Sequence, residues 1–475
     1  MRRPQVIALS CVTVLIAIGY GGLSVWRHTH FLSSAHDLGI FDQAMWALSR
    51  LEAPATSVRH TPLPNLFGDH FDPILVLLVP WYWIFDSPVV LLVAQALLLA
   101  AVVPLGFLLA RQLGIPRWPA VVLSSALGIH PGFTTAARFD FHEIAFAPVL
   151  LLVTVLLAER RQWRWYWVAL AGFLLTKESM ALYAALFGVT LTLRRQWKIG
   201  VATLVIGLGY FFVVTNLVMP ALADQPYAYL RLLYPELGAS PRQAIEHVAR
   251  HPIASLELLF STPEKRRTIS LMFGSFAYLP TLSWTMWPML FMTLAERFWS
   301  INPELWVFRY HYQAVMTTVF FVATLYVLRD VGPLLPRWRA WTPVIVMLIL
   351  LTTAWAISGS GVWSDAFSSA PAATLDRWRA ALRWIPSDAR VSAQGSFVPR
   401  LSHRRTIYQF PRVRDAEYVI LDPQADPWPV TSAEIRAVQE RLPSLGWHVA
   451  WRQDTTTIFR RTPQSLTPPA PTYWR

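Results

Sequence analysis

The chain has 475 residues, a mean hydropathy of +0.38 and only 15% charged residues, against about 25% in an ordinary soluble domain. Long apolar runs alternate with short arginine-rich breaks, which excludes a soluble globular protein and gives an all-α polytopic membrane protein. The net charge of +13 does not point to nucleic acid, because much of the arginine sits at the ends of apolar runs, where it sets topology and meets anionic lipid headgroups.

The run 6–26 follows Arg2 and Arg3 and is longer than a signal-peptide core. It reads as a retained first helix with the N-terminus in the cytoplasm. Cys11 is the sole cysteine, so there is no internal disulfide and no cysteine metal cluster. Residues 28–72 then form a first external loop. The run 88–110 returns to Arg111 and Arg117, 119–135 goes out, and 136–143 is a short external loop. The run 144–158 comes back to Glu159, Arg160, Arg161 and Arg164.

The stretch 165–193 carries Lys177 and Glu178 in its middle. As one helix it would bury two charges near the bilayer centre, at about 2.5–3.5 kcal/mol each. It would also place Arg164 and Arg194–Arg195 on opposite faces. Two short helices with a turn at Thr176-Lys177-Glu178-Ser179 remove both conflicts. Each half then spans only about 18–21 Å of a ~30 Å hydrocarbon core, so the turn ends in a cavity opening outward.

Residues 199–219 run outward, and 220–267 form an external stretch with an amphipathic interfacial helix over 241–260. Residues 268–297 read as a second hairpin broken near Pro280 to Trp284. Residues 298–312 lie outside, 313–328 descends to Arg329, Arg337 and Arg339, and 341–357 ascends. This gives about eleven transmembrane or half-membrane helices within residues 1–360, with the following segment outside. Residues 361–462 read as a small extracytoplasmic α/β domain. It has a helix at 372–385, strands at 389–392, 406–410 and 417–421, a capping box at Thr431 to Glu434 opening a helix to 442, and a hairpin at 447–452 and 456–460. The Pro-rich tail 463–475 reads as disordered.

The chemistry-bearing residues converge on the outer side of this topology. They are Asp37, Asp42, His70 and Asp72 of the first loop, Arg138, Asp140, His142 and Glu143 of the second, Lys177 and Glu178 of the hairpin turn, and His311. Each has a plainer structural role. Asp37 can cap a helix starting near Leu38, and Asp42 can be a solvated helix residue. His70 and Asp72 can be loop residues before Pro73, and Asp140, His142 and Glu143 an interfacial polar cluster. Lys177 and Glu178 are the hardest to assign to structure alone, since charges within an apolar stretch mark functional sites. A carboxylate at the interface can serve as general base on an acceptor hydroxyl, and Lys or Arg at cavity depth can stabilise a departing phosphate. Alternatively, His70, Asp72, Asp140 and His142 can hold a divalent cation.

The ordered motifs Asp37-Leu38-Gly39-Ile40-Phe41-Asp42-Gln43, Gly68-Asp69-His70-Phe71-Asp72-Pro73, Asp140-Phe141-His142-Glu143, Lys177-Glu178 and Tyr310-His311-Tyr312 resemble those of a family of bacterial polytopic membrane proteins of unknown function. That family is similar to the GT-C glycosyltransferases. The resemblance covers roughly residues 30–330 and a tail segment around Glu417–Asp422. It implies sugar transfer from a polyprenyl-phosphate donor to a glycan, lipid or protein acceptor at the outer face of the bacterial cytoplasmic membrane. It implies an acidic base in the first external loop, Asp37 or else Asp42, with the lipid phosphate near Lys177 or Arg138. Many GT-C enzymes carry an adjacent acidic pair in that loop, whereas Asp37 and Asp42 are five apart. A transporter or lipid flippase is the alternative, since broken helices and buried charges also mark transport sites. A third reading is an envelope scaffold whose C-terminal domain binds a partner.

Overall fold

A computed structural model describes residues 3–59, 63–334, 338–364 and 366–462; the tail 463–475, expected to be disordered, lies outside the described residues. The helical expectation holds segment by segment. Six helical segments are long and apolar enough to cross a membrane: Arg3–Thr29, Val89–Gln112, Arg117–Arg138, Trp197–Ala223, Gln313–Leu334 and Trp341–Ser360. Shorter helices pack among them, including Phe146–Glu159, Trp163–Leu174, Met180–Leu193, Pro263–Ser275 and Trp287–Phe298.

Both hairpins form. The first turns at residues 175–179, around Lys177 and Glu178, and the second at 276–286. The second reverses through Ala277 and Tyr278, both at positive φ. The second half of the first hairpin packs tightly on Trp197–Val213. A Cβ at Gly188 would meet Gly200 O and Leu204 N at 2.5 Å, and one at Gly207 would meet Ala181 O at 2.6 Å. Small residues in register let the two backbones approach, which is how helices associate without a hydrophobic drive in lipid.

Gln313–Asp330 is the central helix, buried along 313–328. The outer helices instead show Val14, Leu15, Ile18, Val205, Phe212, Val344 and Leu351 to the surroundings, a surface suited to hydrocarbon. At one end of the bundle Arg329 and Tyr326 donate to Glu159 at 2.7 and 2.8 Å, and Arg194 donates to Asp330 at 3.0 Å. These are helix ends expected to share one face. The sequence candidates lie at the opposite end.

Two elements differ from expectation. The segment 28–72, expected as one loop, holds a helix, entered through a π-turn at Ala35–Gly39 and continuing as Ile40–Ser49. Its N-cap is Ser34, whose hydroxyl accepts from His36 N, so Asp37 is not the cap. The interfacial helix expected at 241–260 is two pieces, Pro241–Arg250 and Pro252–Leu258, because proline at 252 removes the amide that would continue it.

The C-terminal unit is a five-stranded sheet with β1 (Val391–Ala393), β2 (Ile407–Gln409), β3 (Tyr418–Leu421), β4 (Trp447–Gln453) and β5 (Thr456–Arg461). Its order is β2-β1-β3-β5-β4, with β2, β1 and β3 parallel and β5 antiparallel to both β3 and β4. The helix Ser432–Arg441 opens on the expected capping box of Thr431 and Glu434. Strand side chains alternate between two cores. Val419 and Leu421 join Ile435 and Phe459 on one face, while Ile420 joins the other. That second core is shared with the chain between the helices Arg3–Thr29 and Val89–Gln112, through Phe31, Leu38, Phe41 and Tyr82. The sheet is therefore built onto that loop.

Candidate functional site

The loop 33–39 and the loop 139–143 are tied together by backbone bonds. The Asp140 carboxylate accepts from Ser34 N, and Gln95, from Val89–Gln112, accepts from His142 N at 3.0 Å while donating to Ala136 O at 2.9 Å. This brings Asp37 Oδ1 to 3.1 Å from His142 Nε2. The other ring nitrogen of His142 lies 3.2 Å from Asp140 O. A carbonyl and a carboxylate only accept, so both nitrogens donate and the ring is an imidazolium. Burial opposes that charge, but the bond to Asp37 outweighs it and raises His142 above its ordinary value. Burial, reinforced by Asp37, pushes the Asp140 carboxyl up to about 6 against the bond from Ser34.

His142 packs against two rings, which also stack on each other. His311 stacks on it at 3.5 Å between centroids, and Phe139 at 5.5 Å. Burial and the adjacent His142 charge push His311 well below its ordinary value, so a neutral ring faces an imidazolium. His311 Nδ1 is buried without a hydrogen-bond partner. The Asp37 Oδ2 makes no hydrogen bond among the described residues, and its side chain is partly exposed.

One residue on, Glu143 accepts from Lys177 Nζ at 2.9 Å. Glu178 accepts from His70 Nδ1 at 2.9 Å and from Phe71 N at 3.1 Å. The hairpin turn is thus pinned both to the loop of His70 and Phe71 and to the loop of Glu143, with Lys177 and Glu178 taking separate partners. Burial and Lys177 push His70 below its ordinary value, so a neutral imidazole makes the bond to Glu178. Tyr229 stacks on His70 at 4.5 Å and donates to Asp69. Asp72 is fully buried near Glu143, Lys177 and Glu178, and neither carboxylate oxygen has a partner.

Asp37, His70, Asp72, Asp140, His142, Glu143, Lys177, Glu178 and His311 thus form one polar seam. Arg138 lies at its edge, where it donates to Val362 O at 2.7 Å. Asp42 does not belong to the seam. It is neither solvated nor adjacent to Asp37's partners. It accepts from Tyr82 Oη at 2.8 Å, from Ser402 Oγ, and from His403 Nε2 at 3.1 Å. The helix carries its side chain away from Asp37 to the junction with the C-terminal unit. Gln43 likewise donates to Arg404 O. The metal expectation also fails to assemble. His70 bonds Glu178 and His142 bonds Asp37, and among the described residues no group of three or more His, Cys, Asp or Glu is arranged to hold a metal ion.

Sequence reasoning missed Arg297. It is buried beside Glu296 at 3.3 Å, has an unpartnered Nε, and faces the ring of Tyr312. A charged pair inside the second apolar hairpin was the available signal. It also missed His403, which nothing in the local sequence marks.

No curated protein matches the sequence. Two crystal structures of ArnT from Cupriavidus metallidurans match over the whole length. The one bound to undecaprenyl phosphate has 11% identity and a TM-score of 0.57, covering 98% of this chain and all of that one. The apo form has 12% identity and a TM-score of 0.55, covering 98% and 99%. The expected GT-C-like arrangement, a helical membrane unit followed by a small C-terminal sheet, is thus the fold of the chain. Residues 27–456 match the family described as Predicted membrane protein (DUF2079), and the chain belongs to that family.

Proposed function

We propose that the protein is a membrane glycosyltransferase of GT-C type that moves a sugar from a polyprenyl-phosphate donor to an acceptor hydroxyl. The observation that carries this reading is the Asp37–His142 pair. A carboxylate with one oxygen held by an imidazolium and the other open is oriented for proton abstraction. Asp37 Oδ2 takes the acceptor proton, and the acceptor oxygen bonds to the anomeric carbon. The anomeric carbon–oxygen bond breaks, and its electron pair leaves on the polyprenyl phosphate. Lys177 and Arg297, both within electrostatic reach of His311, are the cations suited to that departing charge. An ArnT-like fold whose crystal structure holds undecaprenyl phosphate supports a lipid-phosphate donor.

In this reading the seam faces outward, the N-terminus is cytoplasmic, and residues 361–462 form an extracytoplasmic domain. Donor and acceptor meet at the outer face of the cytoplasmic membrane. A transporter or flippase fits less well, since the polar groups gather at one end while Glu159, Arg194, Arg329 and Asp330 close the other with ion pairs. Asp37→Asn is expected to abolish transfer while leaving folded protein. Full transfer by that variant removes Asp37 from the role.

A further inference from the structure

The chain between Asp72 and the span Val89–Gln112 belongs neither to the seam nor to a membrane crossing. It forms a 3₁₀ helix, Pro73–Leu78, followed by an α-helix, Val79–Ile84, and it holds no charged residue from Pro73 to Phe85. At about 1.5–2.0 Å per residue it reaches about 20 Å, too short for a ~30 Å hydrocarbon core. Ile74, Leu75, Leu78, Val79 and Tyr82 are buried, which is the spacing of a single helical face. They enter the core shared with the C-terminal sheet, beside Val391, Phe397 and Ile458. Tyr82 also donates to Asp42, which accepts from Ser402 and His403 of that unit.

The opposite face is apolar as well. Val76, Leu77, Trp81, Trp83, Ile84 and Phe85 are exposed, Trp83 by 62% and Ile84 by 65%. A helix that is apolar all round is covered all round, and a water-facing surface seldom shows so continuous an apolar patch. The protein covers only the first face. The second runs into the lipid-facing surface of the bundle, since Val89–Gln112 starts just past Phe85 and shows Val93 and Leu97 outward. The polar atoms are turned away from it: the Trp83 indole N–H donates to Ser49 O at 2.7 Å, and Asp86 accepts from Arg50 at 3.3 Å. Tryptophans beside the end of a span, with ring outward and N–H satisfied, suit the boundary between acyl chains and headgroups.

We propose that residues 73–85 lie in the plane of the membrane, in the leaflet at the seam's end of the bundle, and that lipid acyl chains cover their exposed face. The segment is then a lipid-seated platform with the C-terminal unit docked on its other side. It also meets the seam. Asp72 precedes it, and Ile74 N donates to Leu175 O at 3.1 Å, at the turn that carries Lys177 and Glu178. The depth of the platform therefore sets the height of those two residues against the lipid headgroups, whatever reaction the seam performs.

The test uses full-length protein in phosphatidylcholine–phosphatidylglycerol liposomes, in a Cys11→Ser background. A fluorescent label is placed at Ile84→Cys or, separately, at Leu77→Cys; both side chains are exposed, so neither change removes core packing. Val449→Cys on β4, also exposed, is the aqueous control. Lipids with a nitroxide near the head of the acyl chain are expected to quench the labels at 77 and 84 several-fold more than aqueous iodide or lipids with the nitroxide at the chain end. Iodide alone should quench at 449. Iodide quenching at 77 and 84 equal to that at 449 overturns the proposal. So does strongest quenching from the chain end, which would mean a crossing segment, or shielding from iodide and lipid alike, which would mean that a second copy of the protein covers the face.

Discussion

Replacing Asp42 with Asn separates the role of Asp42 from that of Asp37. Asp42 is fully buried and accepts from Tyr82, Ser402 and His403. The His403 ring is held between Asp42 and Asp86, each at 3.1 Å. Burial opposes charge on that ring, but the bond and charge of Asp42 raise it above its ordinary value. An asparagine keeps one acceptor but loses the charge that holds the His403 ring. Charge-assisted bonds contribute about 1.5–3 kcal/mol each, so docking of the C-terminal unit should weaken by about 3 kcal/mol, or roughly a hundredfold in its opening equilibrium. Hydrogen exchange of β1 and β2 in the intact protein reads this directly, with protection falling by about that factor while transfer persists. The contribution has a defined pH course. A histidine with a raised folded value stabilises fully below its unfolded value near 6.5, and the effect is lost as pH rises through the folded value. Wild-type protection should therefore decline on the alkaline side, and Asp42→Asn should flatten that decline. Unchanged exchange in Asp42→Asn together with abolished transfer would refute the anchoring role.

Lys177→Met should destabilise the protein by about 3–5 kcal/mol, since it leaves the Glu143 charge buried and unpaired, and Lys177→Met with Glu143→Gln should recover most of that loss in thermal unfolding. Equal loss in both variants would count against the pair. Asp140, raised to about 6 by burial, contributes stability that is greatest below its unfolded value near 4 and is lost as pH rises through about 6. Asp140→Asn, whose carbonyl still accepts from Ser34, should remove that dependence from unfolding measured across pH 4–7. A cysteine introduced as Ser432→Cys in a Cys11→Ser background should react with a membrane-impermeant reagent from outside intact cells; labelling confined to the cytoplasmic side would reverse the orientation.

Much of this architecture was legible because its causes are local. Lys177 and Glu178 cannot sit mid-helix in lipid without expense, so the turn at 175–179 follows from two residues. Alternating side chains at 418–421 and the Thr431 to Glu434 box likewise mark a strand and a helix start. What escaped is long-range. Two partners of Asp42, Ser402 and His403, lie 360 and 361 residues away, and nothing near Asp42 distinguishes an anchor from a base. The π-turn at 35–39 escaped for a related reason, because Ser34 and Asp37 are both good caps and tertiary bonds to Asp140 and His142 decide between them. His311 is among the sequence candidates, but its stacking on His142, a long-range contact, is what seats it in the site.

The most direct test is transfer by purified protein in nanodiscs, with a panel of polyprenyl-phosphate sugars and of glycan, lipid and peptide acceptors, followed by mass spectrometry. Wild type is predicted to yield glycosylated acceptor and free polyprenyl phosphate in equal amounts, and equally well-folded Asp37→Asn to yield neither. Wild-type turnover by Asp37→Asn would contradict the account, as would a wild type that consumes no donor on the panel.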